Sequence, residues 1–237
     1  MKAKFLVTMI AGACLASLTT VSAVANTSGF GSIPGVAAGS NPYGGSGIPF
    51  NTSEYTQVTG IGAGSDTLTI ALAATQYKAN PAPGNDGAGT YTVGTGLVGG
   101  KSTWNFDFYG NSSLGQLANY VFTLTETANG HTVTFNPLTL PDNAGTAGTS
   151  FGNSERLDFA AFGAGLSYDP NANDTYDFDL SVVSAAGGPA IADTHITVNA
   201  RAGAVPDAAS TAMLLGFGFI GLALFGRRQM RLATVAK

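Results

Sequence analysis

Apolar and polar residues alternate with a period of two over much of the middle of the chain, the signature of strands with one covered face. Thr67 to Ala74 places Leu68, Ile70 and Leu72 on one side. Thr103 to Tyr109 sets Trp104, Phe106 and Phe108 against Asn105 and Asp107. Asn119 to Thr127 alternates Tyr120, Phe122 and Leu124 with Val121, Thr123 and Thr125, and Asn129-Gly130 then leads into His131 to Asn136. That spacing predicts a hairpin, because an Asn-Gly pair accepts the left-handed backbone of a two-residue turn. Thr175 to Val183 directs Tyr176, Phe178, Leu180 and Val182 inward and Asp177, Asp179 and Ser181 outward, and Gly187-Gly188-Pro189 turns the chain into Asp193 to Asn199. Thr90 to Val98 and a weaker run, Arg156 to Phe162, bring the expectation to about eight strands. An all-β, single antiparallel β-sandwich over residues 51–202 follows. Ser28 to Pro49 is rich in Gly, Ser and Pro with no period, so residues 26–50 read as an extended or flexible lead-in.

The two ends follow other rules. Lys2 and Lys4 precede an apolar run from Phe5 to Leu18, and Ala23-Val24-Ala25 offers small side chains at the two positions a signal peptidase inspects. Residues 1–25 therefore read as a signal peptide cut after Ala25. An uncleaved membrane helix fits less well, since Ser17, Thr19, Thr20 and Ser22 shorten the apolar run. A lipoprotein signal ending at Cys14 is the other alternative, but no large aliphatic residue stands three before that cysteine.

At the far end, Ala208 to Phe225 could form a helix of roughly 27 Å, long enough to span a thin hydrocarbon core. Arg227, Arg228 and Arg231 follow, and basic residues beside a span stay in the cytoplasm, so the body before it faces outward. The leader predicts the same topology. An ordinary C-terminal anchor would share these features, with Pro206 marking the start of its helix.

Composition narrows the function classes. The chain has 33 glycines and only 10% charged residues, which suits short strands and tight turns. Between Asn26 and Ala204, four cations stand against thirteen carboxylates, a formal charge of −9, so nucleic acid is excluded as a natural partner. The sole cysteine, Cys14, lies in the leader, which leaves the body without a disulfide or a thiolate nucleophile.

Candidate chemistry in the body is thin. His131 and His195 each sit among threonines in an expected strand, with no carboxylate at triad or ligand spacing in the sequence. Asp158 with Asp169, or Asp177 with Asp179, could be offered as paired carboxylates for glycoside hydrolysis, yet alternation puts the second pair on one outer face. Asp169 to Asp174 starts like a calcium loop, but Asp174 stands where glycine is needed and Leu180 where the bidentate glutamate belongs, so a turn is expected. Asn85-Asp86-Gly87 reads as a turn as well. Tyr43, Tyr55, Tyr77, Tyr91, Tyr109 and Tyr168 are candidate platforms for a glycan. The sequence predicts no enzyme activity and no cofactor.

Val205-Pro206-Asp207, then Ser210-Thr211, then a short glycine-containing apolar stretch, then Arg227-Arg228 near the chain end resembles the PEP-CTERM class of sorting signals, closest to its VPDSG variant. Ala208 and Ala209 stand where that variant has Ser and Gly, and the tail from Gln229 to Lys237 is long for it. The resemblance covers residues 203–237. It implies that an exosortase-type membrane peptidase recognises Val205, Pro206 and Asp207 and cleaves nearby, after a signal peptidase has removed the leader. It also implies a precursor held in the inner membrane of a Gram-negative bacterium, then a mature protein at the cell surface or in an exopolysaccharide matrix. Pro206 suits such a cut, since it biases Val205 toward the extended shape that a peptidase cleft accepts. The Trp104 to Phe108 run, and Asp169-Pro170 with Tyr176 to Leu180, look similar to stretches in β-rich bodies carrying this kind of signal.

Overall fold

Residues Asn129 and Gly130 both have positive φ, 54° and 76°, and close the tight turn between β9 (Tyr120–Ala128) and β10 (His131–Phe135), as their chemistry predicts. The computed structural model describes residues 24–45, 48–62, 65–77, 83–140, 144–159, 162 and 165–203. The remaining strands are β1 (Ala25–Gly31), β2 (Ser53–Ile61), β3 (Asp66–Gln76), β4 (Gly84–Asn85), β5 (Thr90–Gly94), β6 (Leu97–Val98), β7 (Lys101–Ser102), β8 (Trp104–Ser112), β11 (Ser150–Glu155), β12 (Asp174–Ser184) and β13 (Ala190–Arg201). The fold is all-β. One sheet runs β1-β2-β3-β8-β11, a second runs β10-β9-β12-β13-β5-β4, and β6 pairs with β7 as a small ribbon. Pairing is antiparallel throughout except between β13 and β5, where Thr197 lies beside Thr90 in a parallel register.

Alternation explains the second sheet directly. Phe122 and Leu124 of β9, Phe178, Leu180 and Val182 of β12, and Ile196 and Val198 of β13 are buried, while the residues between them are at least partly exposed. Their partners are the apolar residues of β3 and β8. The rings of Phe106 and Phe178 stack at 4.9 Å, Trp104 lies 5.2 Å from Tyr176, and the Thr56 hydroxyl donates to the Asp193 carbonyl at 2.7 Å. Aromatic pairs of this kind add about 0.5–1.5 kcal/mol each beyond the area they bury.

Three expectations need correction. Thr67 to Ala74 and Thr103 to Tyr109 read as half-buried strands, but Ala71, Ala73, Asp107 and Tyr109, on the face away from the second sheet, are buried too. The cover comes from residues 26–50, which are neither a separate lead-in nor a linker. Their first part pairs with β2 as β1, from Ala25 opposite Thr59 to Gly31 opposite Ser53. The rest of its described residues, 32–45 and 48–50, form a strap that buries Ile33 and Tyr43 against the core, and the Tyr43 hydroxyl bonds the Ser53 hydroxyl at 2.8 Å. A run with no period escaped the pattern because it packs through isolated anchors, not through a face. Finally, the strand expected at Arg156 to Phe162 lies upstream. β11 ends at Glu155 and the chain turns, with Phe159 N donating to Arg156 O. Its pairing with β8 overrides the low strand propensity of Gly152, Asn153 and Ser154.

The strap meets the sheet at Gly152, where a Cβ would stand 1.8 Å from the Pro42 carbonyl oxygen. Gly152→Ala is therefore expected to lift the strap and make residues 32–50 susceptible to limited proteolysis, at a cost of about 1–3 kcal/mol in urea unfolding. Phe178→Ala should cost about 3–5 kcal/mol by the same measurement while leaving the strap protected.

Candidate functional site

The exposed face of the second sheet is a polar grid set by strand register. Thr132, Thr127, Asp177, Thr197 and Thr90 fall in one cross-strand row, and Thr134, Thr125, Asp179 and His195 in the next. Here the structure corrects the reading of His195 as a histidine without a carboxylate neighbour. Its Nδ1 lies 2.8 Å from Asp179 Oδ1 and its Nε2 lies 3.1 Å from the Thr197 hydroxyl, which itself donates to Asp177 Oδ1 at 2.8 Å. The order Thr, His, Asp imitates a nucleophilic triad. However, the Thr197 proton points at Asp177, and the side chains of His195, Asp177 and Asp179 are 50%, 43% and 56% exposed. Charges this open to water interact weakly.

The other sequence candidates are dispersed. Asp158 binds Arg156 Nε at 2.8 Å, and Asp169 Oδ1 accepts from Asn171 N at 2.9 Å in the expected turn. Asp86 Oδ1 accepts from Ala88 N and Thr90 N, also closing a turn, and His131 is exposed at the start of β10. Tyr43, Tyr91 and Tyr109 are core residues, so half of the proposed aromatic platform is withdrawn from solvent. Tyr55, Tyr77 and Tyr168 are partly buried, and the Arg156 guanidinium lies over the Tyr77 ring at 5.0 Å. A cavity of about 290 Å3 opens beside β11, lined mainly by Phe108, Leu117, Pro137, Leu140 and Phe151, with no charged residue in its wall. It is at the small end of sites that hold organic ligands.

Three buried carboxylates stand out, and sequence reasoning missed all of them as a group. Asp66 is 1% exposed, and although burial raises its pKa, hydrogen bonds from Ser112, Tyr120, Ser113 and the Leu114 amide outweigh this and hold it below the ordinary range. It ties the start of β3 to the end of β8 and the start of β9. Asp107 and Glu126 are equally buried, but no carboxylate oxygen of either has a hydrogen-bond partner. Burial pushes Asp107 up to about 7, moderated by the Ser154 and Thr75 hydroxyls, which approach without reaching full hydrogen-bond geometry. Burial pushes Glu126 up to about 8, and the Glu155 carboxylate facing it from β11 adds to the rise. Glu155 is also raised by burial, opposed by Asn153 and Arg156. The signal for Glu126 was present in the sequence, since it shares the inward parity of Phe122 and Leu124.

The sorting residues Val205, Pro206, Asp207, Ser210 and Thr211, the basic Arg227, Arg228 and Arg231, and Ala23 lie outside the described residues. Ala25 is exposed and opens β1. Among the described residues, no helix is long and apolar enough to cross a membrane.

Folded Glu126 holds its proton to about pH 8, against an ordinary value of 4.5. A raised folded pKa gives stability that is complete below 4.5 and is lost as the pH rises through 8. The urea midpoint should thus fall between about pH 5 and about pH 9, and because Asp107 is raised in the same direction, Glu126→Gln should lessen that decline by about 2–4 kcal/mol without abolishing it.

No protein-family model, no curated protein and no solved structure matches this chain.

Proposed function

We propose that this chain is the precursor of an exported bacterial surface protein, sorted by an exosortase-type peptidase and built into an exopolysaccharide matrix. The observation that carries this reading is the order of features after the body. β13 ends at Arg201, Val205-Pro206-Asp207 follows within a few residues, and the apolar stretch from Ala208 and the arginines come next. A peptidase at the outer membrane surface would meet the motif between a folded body and a span, with Pro206 keeping the segment extended. At the other end, a cut after Ala25 leaves Asn26 to Gly31 whole as a paired strand.

The body is, in this reading, a two-layer β-sandwich with a structural role, an architecture supported by the ring contacts from Trp104 and Phe106 to Tyr176 and Phe178. Its acidity favours solubility outside the cell. The rival reading is a carbohydrate-binding adhesin. The rows of threonine hydroxyls and carboxylates on the second sheet favour it, since they offer hydrogen bonds to sugar hydroxyls without aromatic platforms. Loss of polysaccharide retention in a Thr125→Val, Thr127→Val variant that keeps its stability would support the adhesin.

Mass spectrometry of the mature C-terminus, in cells with and without the peptidase, tests the sorting. The expected mature protein ends near residues 205–211 and its full tail reappears when the peptidase is absent. Retention of residues 212–237 on the surface form of normal cells would overturn the reading.

A further inference from the structure

Among the described residues, nine buried side-chain oxygens lack a hydrogen-bond partner, and four of them belong to Thr75, Asn105 and Asp107. Strand register puts these residues together. Asn105 and Asp107 alternate along β8 and share one face, Thr75 lies directly opposite Asn105 on β3, and Ser154 lies directly opposite Asp107 on β11. Asn105 Nδ2 donates to Ser154 Oγ at 2.8 Å, which draws the two side chains toward one another and leaves Asn105 Oδ1 unused. Asp107 is fully buried on the strap side of the sheet, close enough to Tyr43 for their charges to interact. No Lys or Arg among the described residues forms an ion pair with it.

An unpaired buried carboxylate is costly, and it is relieved by a proton, a water or a cation. A proton serves one oxygen, and the Ser154 and Thr75 hydroxyls, which could donate to the other, stop short of hydrogen-bond geometry. The group here presents both Asp107 oxygens, Asn105 Oδ1 and the Thr75 hydroxyl oxygen, with Ser154 Oγ beside them. These are oxygens only, with a single negative charge, and they come from three adjacent strands. That is the donor chemistry of a hard cation, whose remaining positions are filled by backbone carbonyls or water.

We propose that Thr75, Asn105, Asp107 and Ser154 form a binding site for a hard, oxygen-seeking cation of the Ca2+ class, beside the part of the strap that carries Pro42 and Tyr43. This inference is independent of how the chain is sorted. Its consequence is that the ion steadies the strap against the sheet, because Tyr43 lies close to Asp107 and Pro42 packs against Gly152 on β11.

The full chain in detergent, stripped with a chelator, is titrated with Tb3+ while tyrosine is excited, since Tyr43 and Tyr109 lie close enough to transfer energy. The expected result is sensitised emission that Ca2+ displaces, weakened about tenfold or more in apparent affinity in Asp107→Asn and less in Thr75→Val, with Asp177→Asn unchanged. In parallel, Ca2+ should raise the Tm of the normal chain, and this shift should vanish in Asp107→Asn. If Asp107→Asn does not fold, Thr75→Val and the Tm shift decide. An unchanged Tm of the normal chain with Ca2+, or emission that survives in a folded Asp107→Asn but is lost in Asp177→Asn, overturns the site.

Discussion

The structure depends on covering both faces of β3 and β8. These two strands form the middle of the five-stranded sheet, and their backbone groups are satisfied by pairing within it. One face packs on the aromatic side chains of the second sheet, with Phe106 on Phe178 as its tightest ring stack. The other packs under the strap, whose Ile33 and Tyr43 belong to the same buried cluster as Ala71 and Ala73. The small side chains of β3 follow from this. Ala71, Ala73 and Ala74 let cover approach closely, and Gly152 on β11 lets the Pro42 carbonyl come against the sheet.

Double cover also explains where the polar chemistry lies. A sheet with one wet face can put its acids in water, as β12 does with Asp177 and Asp179. On β8 the second face is covered around Asp107, which is enclosed, and Asp66 is enclosed at the start of β3. The two acids differ in their partners. Asp66 collects four donors and is a structural knot, whereas Asp107 has only the Ser154 and Thr75 hydroxyls nearby, short of hydrogen-bond geometry. Glu126 is a third case, an inward-facing acid raised by burial and further by the Glu155 carboxylate. Burial without donors raises a carboxylate and burial with donors lowers it, so the hydrogen-bond census separates structural acids from those available for other work.

The proposed addresses and the body obey different physics. Export and sorting are read by enzymes from short extended segments beside apolar runs, and such segments need no partner elsewhere in the chain. The body's polar grid, its small cavity and its buried acids are products of packing. A fold of this kind does not by itself state a function, and the reading of the protein as a matrix component rests on its ends.

By itself the sequence determined what is local and periodic. The hairpin at Asn129-Gly130, the alternation of β12 and β13, the turns at Asp86 and Asp169, and the apolar runs with basic residues near the termini are all visible within short stretches. Only the tertiary structure decided what depends on register between distant segments. It placed Asp179 and Asp177 against His195 and Thr197, put Thr75 and Ser154 beside Asp107, faced Glu126 with Glu155, and laid the strap that carries Ile33, Pro42 and Tyr43 over the first sheet. Periodicity reports which face a side chain takes, but what covers that face is set by strands far away in the chain, and a one-residue slip in their pairing would exchange every neighbour.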